Sequence, residues 1–382
     1  GFNAIAMETK RNRYGALDVF RGMAIVFMII VNSPGSWSYV FRPLQHAAWH
    51  GFTPTDLVFP SFLFAVGAAL SFSMNKWANW SNTEVLAKIL KRTVLLFLIG
   101  YLMYWFPFFR LGQDWSISAF PIAETRIFGV LQRIALAYGL TAVLLHFLGA
   151  KQTYLVGAML LVVYWAVLMH FGADGSNYLS LEGNAVRALD LHLFGAAHLY
   201  SGEGIPFDPE GLLSTLTCIA NVAAGHATGV YLQRDKNEKN KRIDLMLLGA
   251  TLFFVACVWS LAFPVNKKLW TSSFALLTIS FDLMILGILL AFLPKGKRLP
   301  RWGRFFATAG KNPLAIYLLS QLLLTALFIL PVGNNSVWEI IYNSAFVWMG
   351  AHLGSLTMAL VYALFCWSVG YLMERKKVYW NV

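Results

Sequence analysis

The sequence predicts an all-α fold, a polytopic helix bundle with about ten transmembrane helices and both termini in the cytoplasm. Of its 382 residues 58% are hydrophobic and only 13% are charged, about half the charged share of a soluble domain. Ten mostly apolar stretches have about the 20 residues that a helix needs to cross the hydrocarbon core of a bilayer. They cover approximately residues 17–34, 54–75, 87–108, 127–148, 152–171, 210–233, 244–264, 270–293, 305–330 and 354–373. Each should be helical, because a membrane span must satisfy its own backbone hydrogen bonds.

The distribution of Lys and Arg predicts the orientation. With the amino terminus in the cytoplasm, 21 of the 30 basic residues fall on the cytoplasmic side, 6 on the opposite side and 3 inside spans. This is the asymmetry that orients membrane proteins. It also accounts for the net charge of +12, so we expect a lipid bilayer and no nucleic acid as partner.

The sequence predicts a single membrane domain. Residues 1–6, which precede Met7, resemble the remnant of an expression tag, and residues 7–382 are predicted to form a single domain. The longest external segment, 172–209, is too long for a plain connector and predicts a binding loop or lid. The three cysteines lie in apolar stretches and are expected to pack there, so we predict neither a disulfide nor a metal site.

The first span carries polar residues that are costly in hydrocarbon. A charge there costs at least ~2.5–3.5 kcal/mol on insertion scales. Asp18 and Arg21 share one helix face, and Asn32 lies about 21 Å further along it at 1.5 Å per residue. This face would connect a charged cytoplasmic end to an external amide. The structural alternatives are an ion pair that braces the bundle and an amide that packs or caps.

The loop after the first span offers a general base. His46 lies in it, and an imidazole titrates near neutral pH. Trp49 contributes to an aromatic lining, and Asp56 begins the second span, where it either caps the helix or orients a histidine. A surface or capping role for His46 is the alternative, and His50 is a competing base.

Two later spans contain buried cations. Arg133 should pair with a carboxylate or contact a ligand, and Asp282 is one candidate partner. Lys311 and Asn312 precede Pro313, which disfavours helix at the residue before it. A broken helix with a lysine in the break is typical of a small-anion or cofactor site; a kink with a snorkelling lysine is the alternative.

Several of these residues fall in sequence blocks that resemble a known family. The blocks LDVFRG, MIIVN, HAAWHG and TPTDLVFPSFLFAVG follow one another between residues 17 and 67. The similarity continues in RIFGVLQRIALAY, LHLFGAAHLY, FDPEGLL and PVNKKLW, and covers nearly the whole chain. The sequence resembles the heparan-α-glucosaminide N-acetyltransferase family of transmembrane acetyltransferases.

The resemblance implies a mechanism and a set of roles. Family members take acetyl from acetyl-CoA on the cytoplasmic side and deliver it to a glucosamine amine on the other side. His46 then matches the essential histidine and Asn32 the critical asparagine, with Asp56 as third catalytic residue. We predict that acetyl-CoA contacts Arg21, Lys311, Asn312 and Arg133. The acceptor is predicted to contact Asp18, Trp49, His198 and Glu210, without a metal.

The chain looks like the shorter bacterial relatives, since the long luminal amino-terminal extension of the lysosomal members does not appear in it. The resemblance therefore implies the bacterial inner membrane, a free or short amino sugar as acceptor, and a homodimer. Two other functions stay open: a sugar transporter, and an O-acyltransferase that acts on a cell-surface glycan. The transporter gives His46 no role, and the O-acyltransferase keeps the donor but changes the acceptor.

Overall fold

The computed structural model describes residues 14–173 and 177–380, and the expected tag remnant at residues 1–6 lies outside them. The described chain is a helical bundle. Its helices are α1 Gly15–Asn32, α2 Val58–Asn75, α3 Asn82–Trp105, α4 Val130–Leu148, α5 Ala150–His170, α6 Ala185–Phe194, α7 Thr215–Leu232, α8 Glu238–Ser260, α9 Ser272–Phe292, α10 Arg301–Lys311, α11 Pro313–Ile329, α12 Val337–Ile341 and α13 Ala351–Arg375. Each of the ten predicted stretches overlaps one of these helices over most of its length or, in 305–330, a broken pair.

Seven of the described helices are long and apolar enough to cross a membrane: α1, α2 with the turn before it, α4, α5, α8, α9 and α13. The bent pair α10 and α11 raises this number to eight. The chain is therefore a multi-pass membrane protein. Ten crossings and the sides of the termini stay predictions.

Helix α7 lies at the centre of the bundle. It packs against α2, α4, α5 and α9, and most of its residues, including the polar Asn221 and His226, are buried. Small residues bring its axis close to α2. A side chain at Gly67 would collide with the carbonyl of Val222, and one at Gly225 with the carbonyl of Phe64. Close approach through small residues is a common way of packing membrane helices.

The bundle has two chemically different ends. We call the end where α1 begins and α2 finishes the basic face; its connections are 76–81, 149, 233–237, 293–300 and 376–380. We call the other end the histidine face; its described connections are 33–57, 106–129, 177–184, 195–214, 261–271 and 330–350.

The predicted helix break exists. α10 and α11 meet at Asn312 with a bend of 77° and qualify together as one candidate span, in which Lys311 is the last residue of α10. α10 packs against the first turns of α1. A side chain at Gly310 would collide with the carbonyl of Asp18.

The histidine face carries the remaining structure. Strands β1 Phe109–Leu111 and β2 Ile117–Ala119 form one antiparallel hairpin, and β3 Pro331–Val332 and β4 Asn335–Ser336 form a second. The segment predicted as a loop or lid at 172–209 contains α6, apart from residues 174–176, which are not described. α6 begins at the Asn184 cap, whose side chain accepts a hydrogen bond from the Arg187 amide.

Candidate functional site

A hydrogen-bonded pair of His46 and Asp56 lies on the histidine face. The imidazole Nδ1 is 2.7 Å from the Asp56 Oδ1 atom. The carboxylate is 1% exposed, and its Oδ2 accepts hydrogen bonds from the backbone amides of Ala47 and Thr53. Three N–H groups therefore surround an ionised Asp56, which fixes His46 as the tautomer that is protonated on Nδ1.

The other ring nitrogen of His46 is available. The side chain is 39% exposed, and no described residue forms a hydrogen bond with Nε2. Burial of the ring, followed by the nearby Lys267 ammonium, lowers the pKa of His46 below 6.5, against the opposing effect of Asp56. A neutral imidazole with a free Nε2 lone pair can accept a proton.

A buried network of charges lies beside this pair. Arg126 donates to both carboxylate oxygens of Asp208 at 2.9 and 2.7 Å, and to Glu210 Oε2 at 2.7 Å. The rings of Tyr104 and Tyr200 flank its guanidinium at 4.8 and 4.7 Å. A planar, bidentate cation between two aromatic faces is strongly constrained.

Lys267 connects the network to His46. Its Nζ lies 3.9 Å from Glu210 Oε1, and both residues are within electrostatic range of the imidazole. Burial opposes ionisation of Glu210, but Lys267 and Arg126 outweigh it and hold the pKa of this carboxyl below its ordinary value. Glu210 therefore stays ionised at neutral pH.

The segments that carry these residues are fastened to one another. The Gly51 amide donates to the Val265 carbonyl at 2.8 Å. Lys268 donates to the Ala48 carbonyl at 3.0 Å and to Glu203 at 2.8 Å. The histidine loop thus rests on the segment that contains Lys267, so the two have a fixed relative position.

Arg133 holds the backbone that follows Glu210. It is 1% exposed and donates to the Gly211 carbonyl at 2.7 Å and to the Ser214 hydroxyl. The suggested partner Asp282 was wrong: its carboxylate accepts from Ser61 on α2. Arg133 lies at the first turn of α4, next to the start of α7, whereas Asp282 lies in the middle of α9.

A cavity of about 460 Å³ opens at the basic face between α1, α2, α3, α4 and α11. Five cations line it: Arg21, Lys76, Lys88, Arg92 and Lys311. Three indole rings lie among them, those of Trp77, Trp80 and Trp380. The deeper walls are apolar and include Ile25, Met28, Phe62, Leu96 and Ile134. The mouth therefore suits phosphates and a purine, and the depth suits a flexible, mostly uncharged chain.

The inner end of this cavity approaches the charged network. Val130 and Leu131, in the first turn of α4, line it. Arg126 lies only four residues before Val130 in the chain. Tyr317 also lines the cavity and lies within electrostatic range of Tyr104, Arg126 and Glu210. Tyr317 thus connects the lining of the cavity with the charged network of the histidine face.

The residues predicted to contact acetyl-CoA fall into three groups. Arg21 and Lys311 line the cavity, and Lys311 also contacts Glu374 on α13. Asn312 is buried and does not line it. Its side chain donates to the Val378 carbonyl at 3.1 Å and accepts from the Trp380 amide at 2.9 Å, so it positions an indole of the mouth. Arg133 lies in the buried support described above.

The structure does not bring all the residues that were predicted to contact the acceptor sugar close to His46. Asp18 lies at the basic face, 3.4 Å from Arg21, at the opposite end of α1 from Asn32. Trp49 donates to the Leu179 carbonyl at 2.8 Å and packs edge-on against Phe207.

His198 and Asn32 are on the histidine face. The His198 Nδ1 is 2.6 Å from the Thr125 carbonyl, next in the chain to Arg126. Asn32 is the last residue of α1 and is half-buried, and its amide forms no hydrogen bond with any residue in the described ranges.

Sequence reasoning missed two parts of the site. It counted Lys76, Lys88 and Arg92 only as topology signals, although tryptophans at 77 and 80 stand beside them. It assigned no role to Asp208 and Lys267, although both lie in blocks that carried the family resemblance. Within residues 14–173 and 177–380, no group of three His, Cys, Asp or Glu side chains is arranged to hold a metal.

The sequence is similar to those of known proteins. The family model described as heparan-alpha-glucosaminide N-acetyltransferase, catalytic, matches residues 13–192. The heparan-alpha-glucosaminide N-acetyltransferase of Homo sapiens is 26% identical over 430 aligned positions, which cover 97% of this chain and 60% of that protein. The Mus musculus protein of the same name is 26% identical over 438 positions, covering 98% and 62%.

The chain thus spans about three fifths of the length of these curated relatives. The family match contains the histidine loop, and the longer alignments extend over the charged network and the cavity. On these agreeing matches, the chain is similar to the heparan-α-glucosaminide N-acetyltransferase family.

Proposed function

We propose that the protein is a transmembrane N-acetyltransferase. It moves acetyl from acetyl-CoA, bound at the basic face, to the amine of glucosamine or a short amino sugar at the histidine face. The observation that carries the proposal is the cavity, whose cationic mouth lies at the basic face and whose apolar depth reaches Tyr317 and the first turn of α4. The basic face is the cytoplasmic one, in agreement with the excess of Lys and Arg there.

The donor site follows from the lining of the cavity. The phosphates of acetyl-CoA contact Arg21 and Lys311, together with Lys76, Lys88 and Arg92. Asn312 acts through the segment that carries Trp380, and Asp18 orients Arg21. Cations and aromatic rings at the mouth, with an apolar channel behind them, match the polarity of this donor along its length.

Acetyl transfer needs a proton acceptor at the amine. His46 Nε2 takes the amine proton as nitrogen attacks the thioester carbonyl, while Asp56 keeps Nδ1 protonated and stabilises the imidazolium. The carbon–sulfur bond breaks, and the thiolate leaves as a thiol after it takes up a proton. Asn32 donates its amide N–H to the oxyanion.

The acceptor site lies in the loops of the histidine face. Glu210 and His198 are placed for hydrogen bonds with sugar hydroxyls, and Trp49 offers a ring edge. Arg133 acts indirectly, because it holds the backbone that presents Glu210.

Reconstituted vesicles test this function. Protein in proteoliposomes is given acetyl-CoA at the basic face and glucosamine at the histidine face. We expect N-acetylglucosamine in the compartment of the sugar and free CoA in the other. Movement of radiolabelled glucosamine without acetyl-CoA would instead indicate a transporter. An acetylated hydroxyl in the product mass spectrum, when both acceptors compete, would indicate an O-acyltransferase.

A further inference from the structure

We propose, on the basis of the function above, that Glu210 and Lys267 form a subsite for one hydroxyl of the acceptor sugar. The ammonium Nζ and the carboxylate Oε1 lie 3.9 Å apart, which is too far for a direct hydrogen bond. A hydroxyl oxygen about 2.8 Å from each atom closes a triangle of two ordinary hydrogen bonds. It would donate to Oε1 and accept from Nζ, a combination that hydroxyl groups provide and protonated amines lack.

The two binding atoms are preorganised. Arg126 holds the other Glu210 oxygen at 2.7 Å and is itself held by Asp208. On the other side, the Asn266 side chain accepts from the Leu269 amide at 2.9 Å, which braces the turn that presents Lys267. Little conformational freedom is therefore lost on binding.

The subsite is partly desolvated but open. The side chains of Lys267 and Glu210 are 13% and 9% exposed. Water therefore competes weakly for the hydroxyl, while the two atoms remain within reach of a ligand. Hydrogen bonds to charged groups in such surroundings contribute more than neutral ones on the surface.

The position suits an acceptor that reacts at His46. Both side chains lie within electrostatic range of the imidazole, and the Gly51–Val265 and Lys268–Ala48 hydrogen bonds fix the two loops to each other. A sugar with one hydroxyl between Glu210 and Lys267 would have its amine directed toward the histidine loop. The subsite thus selects a polyhydroxylated amine over a simple alkylamine.

Deoxy sugars test the subsite. The ligands are glucosamine and its 3-, 4- and 6-deoxy analogues, compared by kcat/KM and by calorimetric Kd. For the wild-type protein we expect one analogue to fall roughly 10- to 100-fold below glucosamine, the value of hydrogen bonds to charged groups. In Lys267→Met the same analogue and glucosamine should differ by less than about threefold, because the partner of the missing hydroxyl is already gone.

Three variants make the comparison specific. Glu210→Gln should lose discrimination against the same analogue, and Lys267→Arg should keep most of it. Arg110→Gln removes an equal charge from an exposed ion pair of the same face and should leave the discrimination pattern unchanged. If Lys267→Met does not fold, Lys267→Gln and Glu210→Gln carry the same test.

The outcomes separate this proposal from the function on which it depends. If Lys267→Met discriminates among the four sugars as the wild type does, the subsite is wrong although acetyl transfer stands. If the wild type forms no acetylated hexosamine, the function fails. The Kd series needs no turnover, so it still tests the subsite. Loss of discrimination in Lys267→Met supports the subsite, and equal wild-type affinities for the four sugars overturn it.

Discussion

Asp56 holds His46 through Nδ1 at 2.7 Å while the carboxylate itself is 1% exposed. The imidazole is thus fixed at one nitrogen and free at the other. This asymmetry distinguishes a base from a capping histidine, and each variant below changes one side of it.

Loss of the imidazole should abolish most of the activity. We expect His46→Ala to lower kcat by about 10²–10⁴, the usual contribution of a general base, with KM for acetyl-CoA nearly unchanged. Initial rates of product formation measure both. His50→Gln removes the competing imidazole and should stay within about threefold of the wild type.

Labelled acetyl distinguishes two routes. If acetyl rests on the imidazole before transfer, quenching with [¹⁴C]acetyl-CoA in the absence of sugar should leave label on the wild type and none on His46→Ala. Direct transfer predicts no labelled protein at any quench time while product still forms.

Asp56→Asn should damage the site although the side chains have almost the same shape. Both carboxylate oxygens accept from N–H donors, so an amide NH₂ in either orientation faces a donor. We expect kcat to fall by two or more orders of magnitude, because the tautomer of His46 is no longer enforced. A wild-type kcat with a wild-type pH profile would contradict the orienting role.

The pH dependence follows from the lowered pKa of His46. The base is active when neutral, so kcat/KM should be maintained at neutral pH and lost as the pH falls through an apparent pKa below 6.5. Lys267 contributes to this lowering. Lys267→Met should therefore move the acidic limb to higher pH, whereas Arg110→Met, which removes an exposed charge of the same face, should not.

The cationic mouth should control affinity for the donor. The double substitution Lys76→Ala and Lys88→Ala should raise KM for acetyl-CoA about tenfold or more and weaken its salt dependence. KM for the sugar should not change. Lys151→Ala removes a lysine of the basic face that does not line the cavity, and an equal effect there would point to surface charge in general.

Arg126 should contribute strongly to stability. Arg126→Met leaves Asp208 and Glu210 buried without their shared cation, which costs about 3–5 kcal/mol for a buried pair. Thermal denaturation in detergent should show a large drop in Tm. Arg110→Met breaks the exposed pair with Glu124, in which both side chains are 49% exposed, and should cost at most about 1 kcal/mol.

The helices were predictable, because apolar length is a property of each segment alone. The break at Pro313 was equally local. The surroundings of Lys311 were not, because α10 packs against α1 where Gly22 and Gly310 allow close contact. Such a contact depends on residues almost three hundred positions apart.

The pairing of His46 with Asp56 was predictable from the sequence, whereas the charged network around Arg126 was not. His46 and Asp56 are ten residues apart, so a short loop brings them together. Arg126, Asp208 and Lys267 come from three separate loops, and the sequence gives no measure of their spacing. The pairing of Arg133 failed for the same reason, because residue type suggested a carboxylate where the fold supplies a carbonyl and a hydroxyl.

The depth of the basic cavity has a consequence for ion permeation. Its lining extends from Lys76 to Val130, so it shortens the insulating part of the bundle, and we expect the side chains around Arg126 to limit leakage of ions. Tyr104 and Tyr200 flank the guanidinium there, and a fixed positive charge repels protons and metal cations. Substitution of Arg126 by a small neutral residue should therefore raise the ion conductance of proteoliposomes.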